Sequence, residues 1–159
     1  MEVARPIVLR VLALDETPES LLQGQRIETV ERQGKFLLVA LSGGVWMAIN
    51  MMLSGALRLC PRQERVRARD YLLFRLADGE DLRYYDPRAM GKVYLTRDLQ
   101  AVPAYAELGP DALDPALTEQ AFIERLRRFQ GEIKGVLTRG ALVAGIGNAY
   151  ADEILFAAG

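Results

Sequence analysis

Between Gln25 and Tyr94 short apolar runs alternate with turn residues at intervals too close for helices. Arg26–Val30, Lys35–Leu41, Val45–Asn50, Gly55–Leu59, Tyr71–Leu76, Leu82–Tyr85 and Gly91–Leu95 are rich in β-branched, aromatic or leucine residues. Such side chains suit a pleated, half-buried surface. Ser42-Gly43-Gly44, Cys60-Pro61, Asp78-Gly79 and Asp86-Pro87 punctuate the runs, as hairpin turns do. Many short strands joined this way predict an antiparallel sandwich or barrel. Ahead of them, Val3, Ile7, Val8, Val11 and Leu12 read as the exposed end of a helix, which Pro6 opposes unless it lies in the first turn.

Leu108-Gly109-Pro110-Asp111 breaks the strand pattern, and the remainder of the chain reads as helical. Thr118 caps a run through Phe129, Gly131 interrupts it, Ile133–Arg139 resumes it, and Gly140 stands where a C′ glycine belongs. The chain closes on Gly145-Ile146-Gly147-Asn148 and an unbroken helix-forming run. Asn148 is expected to be the N-cap of that helix. Gly145 and Gly147 let another backbone approach closely. The unpaired amides and partial positive charge of a helix start suit a phosphate oxygen. The expected class is α+β: a β-sandwich with a flanking helix over residues 1–108, then a partial all-α part over 109–159.

Composition removes several chemistries. The 159 residues are 50% hydrophobic, enough to build a core. No apolar run approaches the roughly 18 residues of a membrane span, and none has the pattern of a signal peptide. With no histidine and one cysteine, Cys60, the chain offers no His-based triad and no zinc ligand set. Catalysis within it must use Lys, Asp, Glu, Ser, Tyr or a terminal amine. The net charge of −1 is poor for a nucleic-acid binder, but the charge is unevenly placed. Asp78–Asp81 and Glu107–Glu119 hold much of the acid, while Arg58–Arg69 and Arg125–Arg139 are basic. That distribution permits phosphate binding without arguing for it.

The closing Gly145–Gly159 segment closely resembles the central part of the helix–two-turn–helix of the formamidopyrimidine-DNA glycosylase/endonuclease VIII family. Three further segments resemble the family in order, and Leu108–Leu113 resembles its linker. Glu31–Leu38 is similar to the hairpin that carries a DNA-contacting catalytic lysine, here Lys35; taken alone, Lys35 is an edge lysine. Asn50–Arg58 resembles the segment whose methionine enters the duplex where the damaged base has left. Leu53 stands at that position, after Met51 and Met52, and Asn50 replaces the family's histidine. Asp86–Lys92 resembles the loop whose arginine, here Arg88, pairs with the orphaned base. Met90 stands where the family stacks a phenylalanine. Lys134 aligns with a lysine near the lesion phosphate, and Asn148 with the phosphate clamp. The Asp-Pro-Arg loop and Tyr150–Phe156 favour the formamidopyrimidine branch.

The resemblance implies a monomeric bifunctional N-glycosylase and apurinic/apyrimidinic lyase. Such an enzyme excises 8-oxoguanine and formamidopyrimidines from damaged double-stranded DNA in the bacterial cytosol, without a membrane. In that family the amine of an N-terminal proline, within Pro-Glu-Leu-Pro-Glu, attacks the sugar. An α-amine with a pKa of roughly 7.7–8.0 suits the task. Met1-Glu2-Val3 resembles the sequence just after that motif, so the expected true start lies about six residues upstream in the family register. The family's zinc finger of four cysteines is also missing, so this chain is expected to be a fragment with no cofactor of its own. A degenerate, non-catalytic damaged-DNA-binding relative is the alternative.

Overall fold

A computed structural model describes residues 2–3, 6–12 and 15–159. Contacts divide the chain into two compact units: Met1–Glu31 with Phe36–Val102, and Arg32–Lys35 with Pro103–Gly159.

The elements of the first part of the chain are β1 (Glu2–Val3), β2 (Leu9–Val11), α1 (Pro18–Leu22), β3 (Ile27–Gln33), β4 (Phe36–Leu41), β5 (Trp46–Asn50), β6 (Ala56–Pro61), β7 (Asp70–Arg75), β8 (Glu80–Tyr85) and β9 (Lys92–Thr96). They form a four-stranded sheet in the order β1-β7-β8-β6 and a five-stranded sheet in the order β2-β9-β5-β4-β3. Period-two alternation explains the sandwich. Val39 and Leu41 of β4, Met47 and Ile49 of β5, and Val93 and Leu95 of β9 share one core with Leu72, Phe74 and Tyr84 of the other sheet. Each such side chain contributes roughly 1.5–3 kcal/mol by leaving water. β8 is paired on both sides, with β6 and β7, so the loop after it springs from a rigid strand.

The α+β class holds, but the beginning of the chain differs from the helix expected there. Residues 2–3 and 9–11 are strands, and Pro6–Val8 is a single 3-10 turn. Pro6 supplies no amide for a helix ladder, and the β-branched residues around it favour extended backbone. β2 pairs with β9 in parallel, Leu9 opposite Val93, so this pair departs from an all-antiparallel sandwich. The helix that does form, α1, starts at Pro18 behind Thr17, whose Oγ1 accepts from the Ser20 amide at 3.2 Å.

In the second unit, α2 (Glu119–Leu126), α3 (Ile133–Thr138) and α4 (Asn148–Ala158) come after the linker. Thr118 caps α2 by accepting from the Ala121 amide at 3.2 Å. The run expected to reach Phe129 gives way to turns after Leu126. Gly140 lies just beyond α3 with φ +85°, the left-handed conformation of a C′ glycine. Val136, Leu137, Leu142, Val143, Ile146 and Ala151 form the core, with Phe122, Leu126, Phe129 and Leu155 packed against it. The Arg125 guanidinium donates to the carbonyls of Ala141 and Leu142, both at 2.9 Å, and fastens the stretch before α4 to α2. Among the described residues no helix is long and apolar enough to cross a membrane.

Candidate nucleic-acid interface

In the first unit two loops present the residues singled out there. The turn between β5 and β6 is closed by the Gly55 amide donating to the Met51 carbonyl at 2.9 Å. The Met52 amide donates to Asn50 Oδ1 at 3.1 Å, and Met52 takes φ +50°. That conformation costs a non-glycine residue of the order of 1–2 kcal/mol. The turn lifts Leu53 to 71% exposure, while Met51 packs against the sandwich core. Of the three consecutive apolar residues, the one aligned with the family's wedge is therefore the most projecting.

The loop between β8 and β9 is organised by Asp86, which is fully buried. Its Oδ1 accepts from the Ser54 hydroxyl at 2.5 Å and the Arg88 amide at 3.1 Å, and its Oδ2 accepts from the Gly91 amide at 2.8 Å. Burial works against the carboxylate, but these hydrogen bonds prevail and hold its pKa below the ordinary range. Ala89 takes φ +53° and packs its methyl toward the core. Arg88 and Met90 are left more open on either side of it. Because Ser54 belongs to the Leu53 turn, Asp86 joins the two loops.

In the second unit the Arg32–Lys35 turn is held by Asp111. The Arg32 guanidinium meets both Asp111 oxygens, at 2.7 and 2.9 Å, and the Gly34 and Leu113 amides donate to the same carboxylate at 2.7 and 2.9 Å. The paired guanidinium, aided by these amides, drives the Asp111 carboxyl far below the usual carboxylate range. Gly34 takes φ +57°, and a Cβ there would lie 2.9 Å from the Ala144 methyl. Only glycine allows this approach. Lys35 then runs beside Gly147, its Cε 3.9 Å from where a Cβ on that glycine would stand. Partial burial pulls the Lys35 ammonium below its ordinary pKa.

Asn148 differs from its expected role as a cap. Gly147 is the N-cap, with φ −104° and ψ 177° and no side-chain bond to the helix, and Asn148 is the first helical residue. The Ala151 amide donates to the Gly147 carbonyl at 2.9 Å. The amides before it have no partner within the helix. The helix start is therefore open even though its cap lies one residue earlier, and the Asn148 side chain is exposed beside it. Lys134, on α3, meets Asp152 of α4 at 2.6 Å. Within this unit, then, Lys35, Lys134 and Asn148 all relate to the first turns of α4.

Sequence reasoning passed over Ser54, Asp86, Asp111 and Arg32. Asp86 and Asp111 each stand beside a proline in a turn, a signal for local backbone capping but not for a long-range partner. Cys60, the one cysteine of the sequence, is buried in β6.

In class, the chain joins a β-sandwich to a helical unit whose glycine-capped helix start faces a lysine. Residues 1–93 match the model of the formamidopyrimidine-DNA glycosylase N-terminal domain, and residues 108–159 match that of the formamidopyrimidine-DNA glycosylase H2TH domain. The chain belongs to the formamidopyrimidine-DNA glycosylase family. It is 40% identical over 146 residues to the formamidopyrimidine-DNA glycosylase of Moorella thermoacetica, covering 91% of this chain and 53% of that protein. The Lactococcus lactis enzyme, solved non-covalently bound to DNA containing an AP site, matches with a TM-score of 0.81 at 28% identity, covering 97% of this chain and 59% of that one. The MutM (Fpg) protein from Thermus thermophilus matches with a TM-score of 0.79 at 33% identity, covering 98% and 55%. The chain thus spans about half the length of the curated relatives it matches.

Proposed function

We propose that this chain reads oxidised-purine lesions, 8-oxoguanine and formamidopyrimidines, in duplex DNA. It would serve as the recognition part of a bifunctional glycosylase and apurinic/apyrimidinic lyase of the bacterial cytosol. Residues 1–108 act as the sandwich domain and 109–159 as the helix–two-turn–helix part. The observation that carries the reading is the start of α4, capped by Gly147 with no side-chain bond to its amides, with Lys35 alongside that glycine. Free amides, a helix dipole and an ammonium together make a site for a phosphate oxygen. Lys35 holds the lesion phosphate and offsets developing negative charge, aided by Lys134 and by the amides at Asn148. Leu53 enters the stack as an apolar wedge, Met90 packs as a second one, and Arg88 hydrogen-bonds the orphaned base.

The residues that carry the proposal act in recognition rather than in sugar attack, and the chain acts as a monomer. Titration with a duplex carrying a tetrahydrofuran abasic analogue, against the undamaged duplex at equal salt, tests the reading. At least tenfold tighter binding of the abasic duplex is expected; equal affinity would reject lesion reading. Borohydride trapping on 8-oxoguanine duplex tests the division between recognition and attack: robust covalent complex would show a working amine, Met1 or Lys35, in this chain.

A further inference from the structure

We infer that Ser54 and Asp86 are positioning residues that couple the Leu53 turn to the Arg88 loop, so that wedge and void-filling arginine are presented as one unit. The inference rests on the lesion-reading function proposed above and adds to it how specificity is set.

A buried carboxylate must be satisfied, because an unpaired one in an apolar interior is costly. Asp86 is buried completely, and the partners that satisfy it come from two loops far apart in sequence. Ser54 donates from the turn that lifts Leu53. The amides of Arg88 and Gly91 donate from the loop that lifts Arg88 and Met90. Short charge-assisted bonds of this kind are roughly twice as strong as neutral ones.

Tyr84 supplies the second half of the coupling. Its ring is in the sandwich core and its hydroxyl lies against Gly55 and Gly91, at the base of each loop. A Cβ on either glycine would run into that hydroxyl. Burial, with the Asp86 carboxylate beside it, pushes the Tyr84 phenol above its ordinary pKa, so it stays neutral in this setting. The two loops therefore share a rigid phenol beneath and a carboxylate between them. Displacing the Leu53 turn takes from the buried Asp86 carboxylate the one hydrogen bond that crosses between the loops. The strained backbone at Met52 and Ala89, φ +50° and +53°, sits one residue from Leu53 and one from Arg88. Such strain persists only where surrounding contacts over-determine it.

The test has a DNA-free arm and a DNA arm. In Ser54→Ala, amide hydrogen exchange at Arg88 and Gly91 is expected to accelerate about tenfold along with Gly55, since both loops lose a shared anchor. Ser54→Thr, which keeps the hydroxyl, restores protection. Acceleration confined to residues 52–55 would overturn the coupling. In the DNA arm, Ser54→Ala lowers the abasic-over-undamaged preference at least fivefold while affinity for undamaged duplex stays within about twofold. Equal weakening on both duplexes would overturn the positioning role and leave a structural one. If the unaltered chain itself shows no abasic preference, the lesion-reading function fails, whatever the exchange arm reports.

Discussion

In the proposed function, single residues separate affinity from specificity. Lys35 is a partly desolvated ammonium, and its lowered pKa gives a signed expectation. As pH rises toward that lowered value the lysine loses its charge earlier than a solvated lysine would, and its phosphate contact is lost with it. DNA affinity should therefore begin to fall at a lower pH than the ordinary lysine value of about 10.4 would set. Lys35→Arg should flatten that fall, because a guanidinium stays charged throughout. Lys35→Ala should weaken abasic and undamaged duplexes alike and reduce the salt slope of log K by about one. A salt slope unchanged in Lys35→Ala would remove Lys35 from the phosphate site. Tyr84 and Gly91 make a stability test. Gly91→Ala should lower stability by about 1–3 kcal/mol through overpacking against the Tyr84 hydroxyl. Tyr84→Phe in the same chain should recover part of that loss in denaturant unfolding. No recovery would mean that the clash lies elsewhere.

At the scale of elements, the Arg32–Lys35 turn depends on Asp111. Asp111→Asn should speed exchange at the Gly34 and Leu113 amides about tenfold. The carboxyl's folded pKa is depressed, so its contribution to stability is present above the unfolded value of about 3.9 and is lost as pH falls through the lower folded value. Wild type and variant should thus differ at neutral pH and converge in strong acid. A difference that persists there would mean that the carboxylate charge is not what holds the turn. These elements also show what a sequence can disclose. The strands between Gln25 and Tyr94 were legible because their apolar runs are short and closed by turn residues. Thr118 and Gly140 were legible because capping is local chemistry. The start of the chain was not, because β2 owes its conformation to pairing with β9, more than eighty residues away. Asn148 missed the cap by one position, since a cap is fixed by backbone angles that Gly147 adopts equally well. The Arg32–Asp111 and Ser54–Asp86 bonds span 79 and 32 residues, and no local pattern foretells such partners.

At the scale of the whole molecule, the family's segments succeed one another along the chain, and both of its domain models are matched. The formal charge is only −1, so the DNA association proposed for the chain cannot rest on a general basic field. It must rest on a few placed cations and on shape. The central claim is that Leu53 and Arg88 carry lesion specificity while Lys35 carries general affinity. The most direct measurement is the ratio of affinities for abasic and undamaged duplexes in the Leu53→Ala, Arg88→Ala double variant. That ratio should fall to about one, with undamaged-duplex affinity within about threefold of the parent chain. A ratio as large as the parent's would contradict the claim.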